Sequence, residues 1–473
     1  MKKITVLLLA LVLLFALPVS AQEYDLDGEV TQKLNYLNDS ETFEGLTELN
    51  LEFSKDFGFD KSIYLNPVFK LNYDENSEID ELSVNDKLGE NGEYDFIKEA
   101  YFDYYLENTD LRVGRQIIDW GSAYELNPTD VINPRDFTAD DPTSAELGVT
   151  SLKADYYYDY RTSLTGVVVG QHRPSPIPSA LGTMVDETAK GMIANGVSTS
   201  IYKNLIDQGI SSALAEQKAN TITPQIIENN FSINDPEKRE IKDLSDPEIA
   251  LQFTRRNFKG YDLSVNYFKG YGDIPLIISD YETLMNELEI IAGEYLNDNP
   301  STKKATLDFG YKETQSIGFS GRGSLADIGV WSEINYNQNE DDEKKLDLVI
   351  GGDYTFENNF YTVVQLFHRN YKDYKINQIL KDNGKDKLLT EENYLILHGE
   401  MPFRSIHTFK GDIIADIAGE GYMINPEAEF SLGNDYNLNL GAVIINDEND
   451  KKDFSILNML AEEKAYLEFS WNF

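Results

Sequence analysis

Between Arg112 and Asp136 the chain reads RVGRQIIDWGSAYELNPTDVINPRD, an unusual density of groups able to hold a polar solute. Arg112, Arg115 and Arg135 offer planar donor forks that match carboxylates and phosphates. Asp119, Asp130 and Asp136 offer anionic acceptors. Gln116, Asn127 and Asn133 offer amides with both donors and acceptors, and Trp120 a flat aromatic face. This is chemistry of recognition and ion pairing rather than of bond making. The stretch begins as a strand and ends in a loop whose Asn127-Pro128 and Asn133-Pro134 pairs impose extended or turn geometry on either side of Asp130.

Catalytic constellations are missing from the sequence. The four histidines, His172, His368, His398 and His407, stand far apart, and neither a G-x-S-x-G elbow nor an H-E-x-x-H helix occurs. There is no cysteine, and no cluster of histidines that would hold zinc. Glu340-Asp341-Asp342-Glu343 lacks the spacing and glycine of a calcium loop and reads as a solvated turn. We therefore expect no enzyme, no catalytic residue, no cofactor and no metal. A formal net charge of -41 makes nucleic acid an improbable partner.

The elements that must position the Arg112–Asp136 stretch are strands. Segments of about ten residues alternate apolar and polar, with turn signals between them, as in a transmembrane barrel. Ile63, Leu65, Phe69 and Leu71 share one face; Phe102, Tyr104 and Leu106 share another, opposite Glu99 and Asp103. The same period returns at Tyr261, Leu263, Val265 and Tyr267, and again at Leu346, Leu348 and Ile350. Connections alternate between tight turns, such as Asn108-Thr109 and Asn358-Asn359, and long loops at about 75–92, 120–147, 172–247, 272–303, 373–390 and 447–461. That asymmetry is the one between periplasmic turns and outer loops. Treating 305–322 as one long strand keeps the short turns on one side, and parity then gives about 18 strands, with 16 the nearest alternative. The expected fold is all-β, a transmembrane antiparallel β-barrel with helical loop insertions at 172–247 and 272–303. Those insertions show helical patterns at 184–194 and 201–219, a short helix starting at Thr223-Pro224, and a helix from 279 with Ser279 and Glu282 as its capping box.

Both ends fit export. Residues 1–21 have a basic start, an apolar run and a small-residue cleavage site at Ala21, the pattern of a signal peptide, which leaves 22–473 as the barrel. The final strand alternates Ala465, Leu467, Phe469 and Trp471 and stops on Phe473. It resembles the C-terminal signature that delivers outer-membrane barrels to their assembly machinery, which would make that machinery and outer-membrane lipid partners of the chain.

Phase places Glu99, Asp103, Asp155, Asp308, Glu333, Asp347, Asp412, Glu427 and Glu468 inward, against Arg112, Lys153, Lys312, Arg369 and Lys410. So charged an interior is not a dry core, because unpaired buried charge is too costly. The lumen should be wet, with a weak preference for cations.

Gly114-Arg115-Gln116, Trp120-Gly121, Asn127-Pro128-x-Asp130 and Asn133-Pro134 resemble the motif of a family of porin-like outer-membrane proteins. The stretch is more distantly similar to the alginate-export barrels, which share a G-R-Q strand. The resemblance implies an outer-membrane pore with the motif's arginine near a constriction and carries over no substrate; small polar or charged solutes are what the wet lumen would pass. Strict alternation would send Arg115 to the lipid, at a cost of about 2 to 4 kcal/mol at mid-depth. A β-bulge at Gly114 would turn Arg112 and Arg115 inward together, and an aspartate of the loop, Asp119, Asp130 or Asp136, would then neutralise an arginine. The expected activity is passive passage through a lumen narrowed by the 120–147 loop. A structural or surface-interaction barrel with a closed lumen is the alternative.

Overall fold

A computed structural model describes residues 24–38, 40–74, 96–139, 143, 145–177, 179–234, 246–374, 390–404, 406–417, 421–446 and 463–473. The expected signal peptide lies outside the described residues, as do most of the loops at 75–92, 373–390 and 447–461.

Eighteen antiparallel strands close into one barrel. In chain order the strands are β1 (Asp25–Leu37), β2 (Thr42–Asp56), β3 (Lys61–Asp74), β4 (Ile97–Tyr105), β5 (Thr109–Gln116), β6 (Val149–Asp159), β7 (Thr162–Val169), β8 (Phe231–Asn234), β9 (Glu248–Phe258) and β10 (Tyr261–Tyr271). There follow β11 (Leu276–Ile277), β12 (Ala305–Gly310), β13 (Glu313–Leu325), β14 (Ile328–Asn339), β15 (Lys344–Thr355), β16 (Tyr361–Lys372) and β17 (Glu391–Phe403). The last four are β18 (His407–Asp416), β19 (Tyr422–Ser431), β20 (Tyr436–Asn446) and β21 (Lys464–Asn472). All but β8, β11 and β12 are barrel strands, each paired with its neighbours in sequence, and β21 closes the ring on β1 from Glu29↔Asn472 to Leu37↔Lys464.

Alternation has a direct physical outcome in this ring. Leu34, Tyr36, Val113, Leu152, Phe253, Val265, Ile350 and Leu366 project outward and remain exposed, whereas Lys33, Asn35, Asp103 and Gln365 on the opposite face are buried. A closed barrel leaves no unpaired strand edge, so its apolar outer face is the surface left to explain, and such a belt is what a lipid-facing wall presents.

The C-terminal residue completes the closure. Phe473 and Gly28 exchange both backbone hydrogen bonds at 2.9 Å, and the Phe473 ring occupies the space a side chain at 28 would fill. Gly28→Leu should therefore unseat the ring and cost about 1–3 kcal/mol through overpacking. A lowered temperature for the shift from folded to unfolded migration in unboiled gel samples would show it, and unchanged heat resistance would refute the seat.

The segment 305–322 is not one strand. It splits at Tyr311-Lys312 into β12 and β13, and β12 leaves the barrel to pair in parallel with β8 and antiparallel with β11. Both pieces are half-buried strands in phase, so period two alone could not tell which sheet each joins. Asp308 is accordingly not a lumen residue: it accepts from Asn234 Nδ2 at 2.8 Å within the small sheet. Removing β12 subtracts no crossing, so the barrel still has 18 strands.

Helices α1 (Ser179–Asp207), α2 (Ser212–Asn230) and α3 (Tyr281–Leu296) pack on this small sheet. Ile193, Val197, Ile201, Leu205, Ala219, Ile226, Leu284, Leu288, Ile291 and Leu307 form a core of their own. The helix expected to start at Thr223-Pro224 is instead the second half of α2, which runs through Pro224. Proline normally breaks a helix interior; here Ala215, Ala219, Thr223 and Ile226 lie on one buried stripe that holds the turn together. The cap of α3 is shifted by one residue from expectation. Asp280, not Ser279, accepts from Thr283 N at 2.8 Å, while Ser279 Oγ accepts from Asp308 N at 2.7 Å.

Candidate functional site

The strand that leads into the motif is regular. β5 pairs with β4 and β6 without a register shift from Thr109 to Gln116, so the bulge expected at Gly114 does not form. Gly114 absorbs the local distortion in its own backbone instead, at φ +134°, where a side chain would collide with the Ala100 carbonyl oxygen. Arg115 consequently keeps the phase of Leu111 and the exposed Val113, opposite to Arg112. Its position resolves the energetic conflict. Arg115 is the next-to-last residue of β5, and its side chain is part-buried with Nε covered, so it escapes the penalty of a lipid-facing arginine at mid-depth.

Arg112 points the other way and is already satisfied. Its Nε and Nη2 donate to the two carboxylate oxygens of Asp103 at 2.7 and 2.9 Å, and its guanidinium lies 3.7 Å from the Tyr101 ring centroid. The partner of Arg112 is thus a cross-strand neighbour and none of the loop aspartates Asp119, Asp130 and Asp136; of these, Asp130 stands beside Arg135 instead.

Beyond β5 the chain folds into the barrel. At its near foot Ile118, Trp120 and Ile132 bury against Val149, Val167, Val169, Ala250 and Phe268 on the inner faces of β6, β7, β9 and β10. Asn133 braces this foot: its Oδ1 accepts from Ile118 N at 2.7 Å and its Nδ2 donates to Leu147 O at 2.7 Å. Asn127 Nδ2 donates to Trp120 O at 2.7 Å, turning the chain back. Gln116, fully buried, donates to Ser151 O at 3.2 Å.

The tip reaches the far wall. Glu333 on β14 accepts from Ser122 N, from Ala123 N at 2.8 Å, and from Thr129 N and Oγ1 at 3.2 and 2.8 Å. Gln365 on β16 accepts from Tyr124 N at 2.8 Å and donates to Tyr124 O at 2.6 Å, while Trp331 Nε1 donates to the same Gln365 oxygen at 2.7 Å. Tyr124 OH donates to Asp412 on β18 at 3.0 Å, and His398 Nδ1 lies 2.8 Å from that same oxygen. In the ring of 18 strands β16 and β18 each lie eight places from β5, one in either direction. The loop therefore crosses nearly the full diameter. Burial pushes the Tyr124 hydroxyl far above its ordinary range, with Glu125 and Asp412 adding to it, so it acts as a fixed donor.

The remaining motif residues meet over the foot. Arg135 Nη2 stands 3.9 Å from Asp130 Oδ2 and 3.8 Å from Glu146 Oε1, and Nη1 donates to Thr143 O. One carboxylate oxygen each from Asp119, Asp130 and Glu146 lie within 4.8 Å of one another. Asp136 instead accepts from Thr138 N at 2.9 Å in a local turn. Of the motif residues, Asp119, Asp130 and Arg135 are brought together; Arg112 and Arg115 stand apart; Gln116, Trp120, Asn127 and Asn133 build the loop. Glu146, Gln365 and Tyr124 were not legible as site residues, because each owes its role to a partner distant in sequence.

The wall divides into a dry and a wet sector. Along β14 to β20 the inner face carries Trp331, Val349, Val363, Phe367, Tyr394, Ile396, Ile414 and Met423, packed with Leu126 of the loop. On β15 to β17 one charge cluster is sealed: Arg369 holds Asp347 at 2.8 Å, with Asp347 2% and Glu392 5% exposed. Along β18 to β21 and β1 to β3 solvent reaches the pairs instead. Lys410–Glu429 is 37% and 35% exposed, Lys70–Glu48 42% and 27%, and Glu468 beside Lys33 24%.

The segment after β7 links this loop to the helical insertion. Arg135 N donates to Ser175 Oγ at 3.1 Å, Phe137 N to Pro176 O at 3.1 Å, and Ser175 N to Asp273 O at 3.0 Å. Burial raises the Asp273 carboxyl to about 7 against the opposing pull of His172. A carboxyl raised in the folded state binds its proton there more tightly than in the unfolded chain. Its stabilisation is thus full below about pH 4 and lost as pH rises towards 7. Asp273→Asn should flatten that dependence, read as protease resistance of the insertion between pH 4 and 8; an unchanged slope would remove Asp273 as its source.

Fold and site together define a closed antiparallel barrel whose bore is braced by an inward-folded loop. The chain belongs to the DUF1302 family, described as a protein of unknown function, which it matches over residues 40–452. No curated protein matches it. Among solved structures it is similar to OccAB3 of Acinetobacter baumannii, at 10% identity over 96% of this chain and 100% of that one, with a TM-score of 0.48. It is also similar to OccK5 (OpdH) of Pseudomonas aeruginosa, at 8% identity over 95% and 97% and a TM-score of 0.47. The outer membrane channel DcaP of Acinetobacter baumannii matches at 9% identity over 95% and 97%, with a TM-score of 0.43.

Proposed function

We propose that this protein is an outer-membrane channel through which small polar solutes pass passively, narrowed by the loop between β5 and β6. The observation that carries this reading is the wet sector. Ion pairs on the inner face of β18 to β21 and β1 to β3 keep solvent exposure, whereas the Asp347–Arg369–Glu392 cluster on β15 to β17 is sealed. The path runs past Glu29, Glu48, Glu429 and Glu468, whose carboxylates outnumber the lysines beside them, so cations are favoured over anions. A polyanion such as alginate fits this wall poorly. The apolar belt is the lipid-facing surface, and the strand ending at Phe473 serves as the signal to the assembly machinery. Arg112 with Asp103 and Tyr101 lines the path rather than closing it. No covalent chemistry is involved.

The closed-barrel alternative draws on the buried loop anchors and the separate helical core. Conductance of the purified chain in planar bilayers separates the two. We expect discrete steps and a reversal potential of cation-selective sign in a potassium chloride gradient. Silence both in the full-length chain and after deletion of 180–245 would sink the channel reading.

A further inference from the structure

We infer that Asp119, Asp130 and Glu146 hold a hard divalent metal cation such as calcium inside the loop that crosses the barrel. Three observations converge on it. First, one oxygen from each carboxylate lies within 4.8 Å of the others. Three carboxylate oxygens in such a span are the donors a hard cation takes, calcium binding oxygen at about 2.4 Å and magnesium at about 2.1 Å. Second, the Asp130 side chain is 1% exposed and, among the described residues, its Oδ1 is buried without a hydrogen-bond donor. A carboxylate oxygen left so is costly, and a cation is the partner that satisfies it. Third, the local charge does not close. Arg135 is the neighbouring cation, at 3.8 and 3.9 Å, beyond hydrogen-bond reach, and part of its donor capacity goes to Thr143 O. Three carboxylates against one guanidinium leave two negative charges, the deficit a divalent ion fills.

The crowding shows in the carboxyls themselves. Burial, then a hydrogen bond and charge repulsion from Glu146, pushes Asp130 well above the ordinary range, and burial followed by the Glu146 charge raises Asp119. Without a cation the cluster must retain protons. With one, the loop gains a fastening at its foot that joins Asp119, just before Trp120, to Glu146, just before β6. The cluster is invisible in the sequence as a metal motif, because Asp119, Asp130 and Glu146 are spread along one long loop with no short ligand spacing.

The site is read without conductance, so its test is separate from that of the channel. Full-length protein in non-ionic detergent, stripped with a chelator, is titrated calorimetrically with calcium chloride. The wild type and Glu340→Gln, an outer-turn control, should each show one saturable site per chain. Asp130→Asn and Glu146→Gln should bind at least tenfold more weakly, with folding checked by heat-dependent gel migration. If Asp130→Asn does not fold, Glu146→Gln decides. A wild type without a saturable site, or a folded variant with undiminished affinity, overturns the assignment, leaving protons to balance the cluster.

Discussion

Glu333→Ala will raise the single-channel conductance and add open-channel noise, because it releases the tip of the loop from the far wall. The carboxylate is 2% exposed and takes donors from Ser122, Ala123 and Thr129, four in all. Any of these left buried without an acceptor costs roughly 1–3 kcal/mol. The loop has a cheaper option, which is to swing into the lumen water, and Gln365 and Asp412 cannot hold the tip against that sum. Glu333→Gln keeps an acceptor oxygen and should fall between the two. Conductance of Glu333→Ala indistinguishable from wild type would mean that the tip does not narrow the path.

Trp120→Ala attacks the other end and should act on stability more than on conductance. The ring is 4% exposed among Ile118, Ile132, Val167 and Phe268. Truncating a buried tryptophan costs about 3–5 kcal/mol through lost burial and the cavity left. The foot has no free volume to collapse into, since the barrel wall behind it is held by strand pairing. We therefore expect protease cleavage within 117–148 in a barrel that still migrates as folded. A barrel that loses heat resistance as a whole would show instead that the foot is part of the wall's own stability. Combining the two substitutions should free the loop entirely, with more than additive conductance if foot and tip brace one rigid element.

The division between legible and illegible features follows the range of the interactions. Strand phase, the alternation of short and long connections and the parity of the ring were readable because each depends on neighbours two to ten residues away. Splitting 305–322 was not, because β12 and β13 keep the same period while joining different sheets. The Gly114 bulge was a sound inference from the energy of a lipid-facing arginine, yet it presumed mid-depth. Arg115 lies next to the end of β5 with its side chain part-buried, and the conflict vanishes there.

The motif that first suggested a binding site from Arg112 to Asp136 turned out to have two faces. Its residue types are those needed to fold a loop back on itself: Asn127 and Asn133 cap its turns, and Trp120 anchors it. That much is local chemistry, and local chemistry is written in the chain. Where the loop goes is not. Its destination depends on Glu333, Gln365 and Asp412, more than two hundred residues away and brought across the bore only when β21 pairs with β1 and the ring closes. Closure also sorts the charged interior into a sealed sector and a wet one, a distinction that alternation cannot make, since it tells inside from outside but carries no information about which inner faces meet.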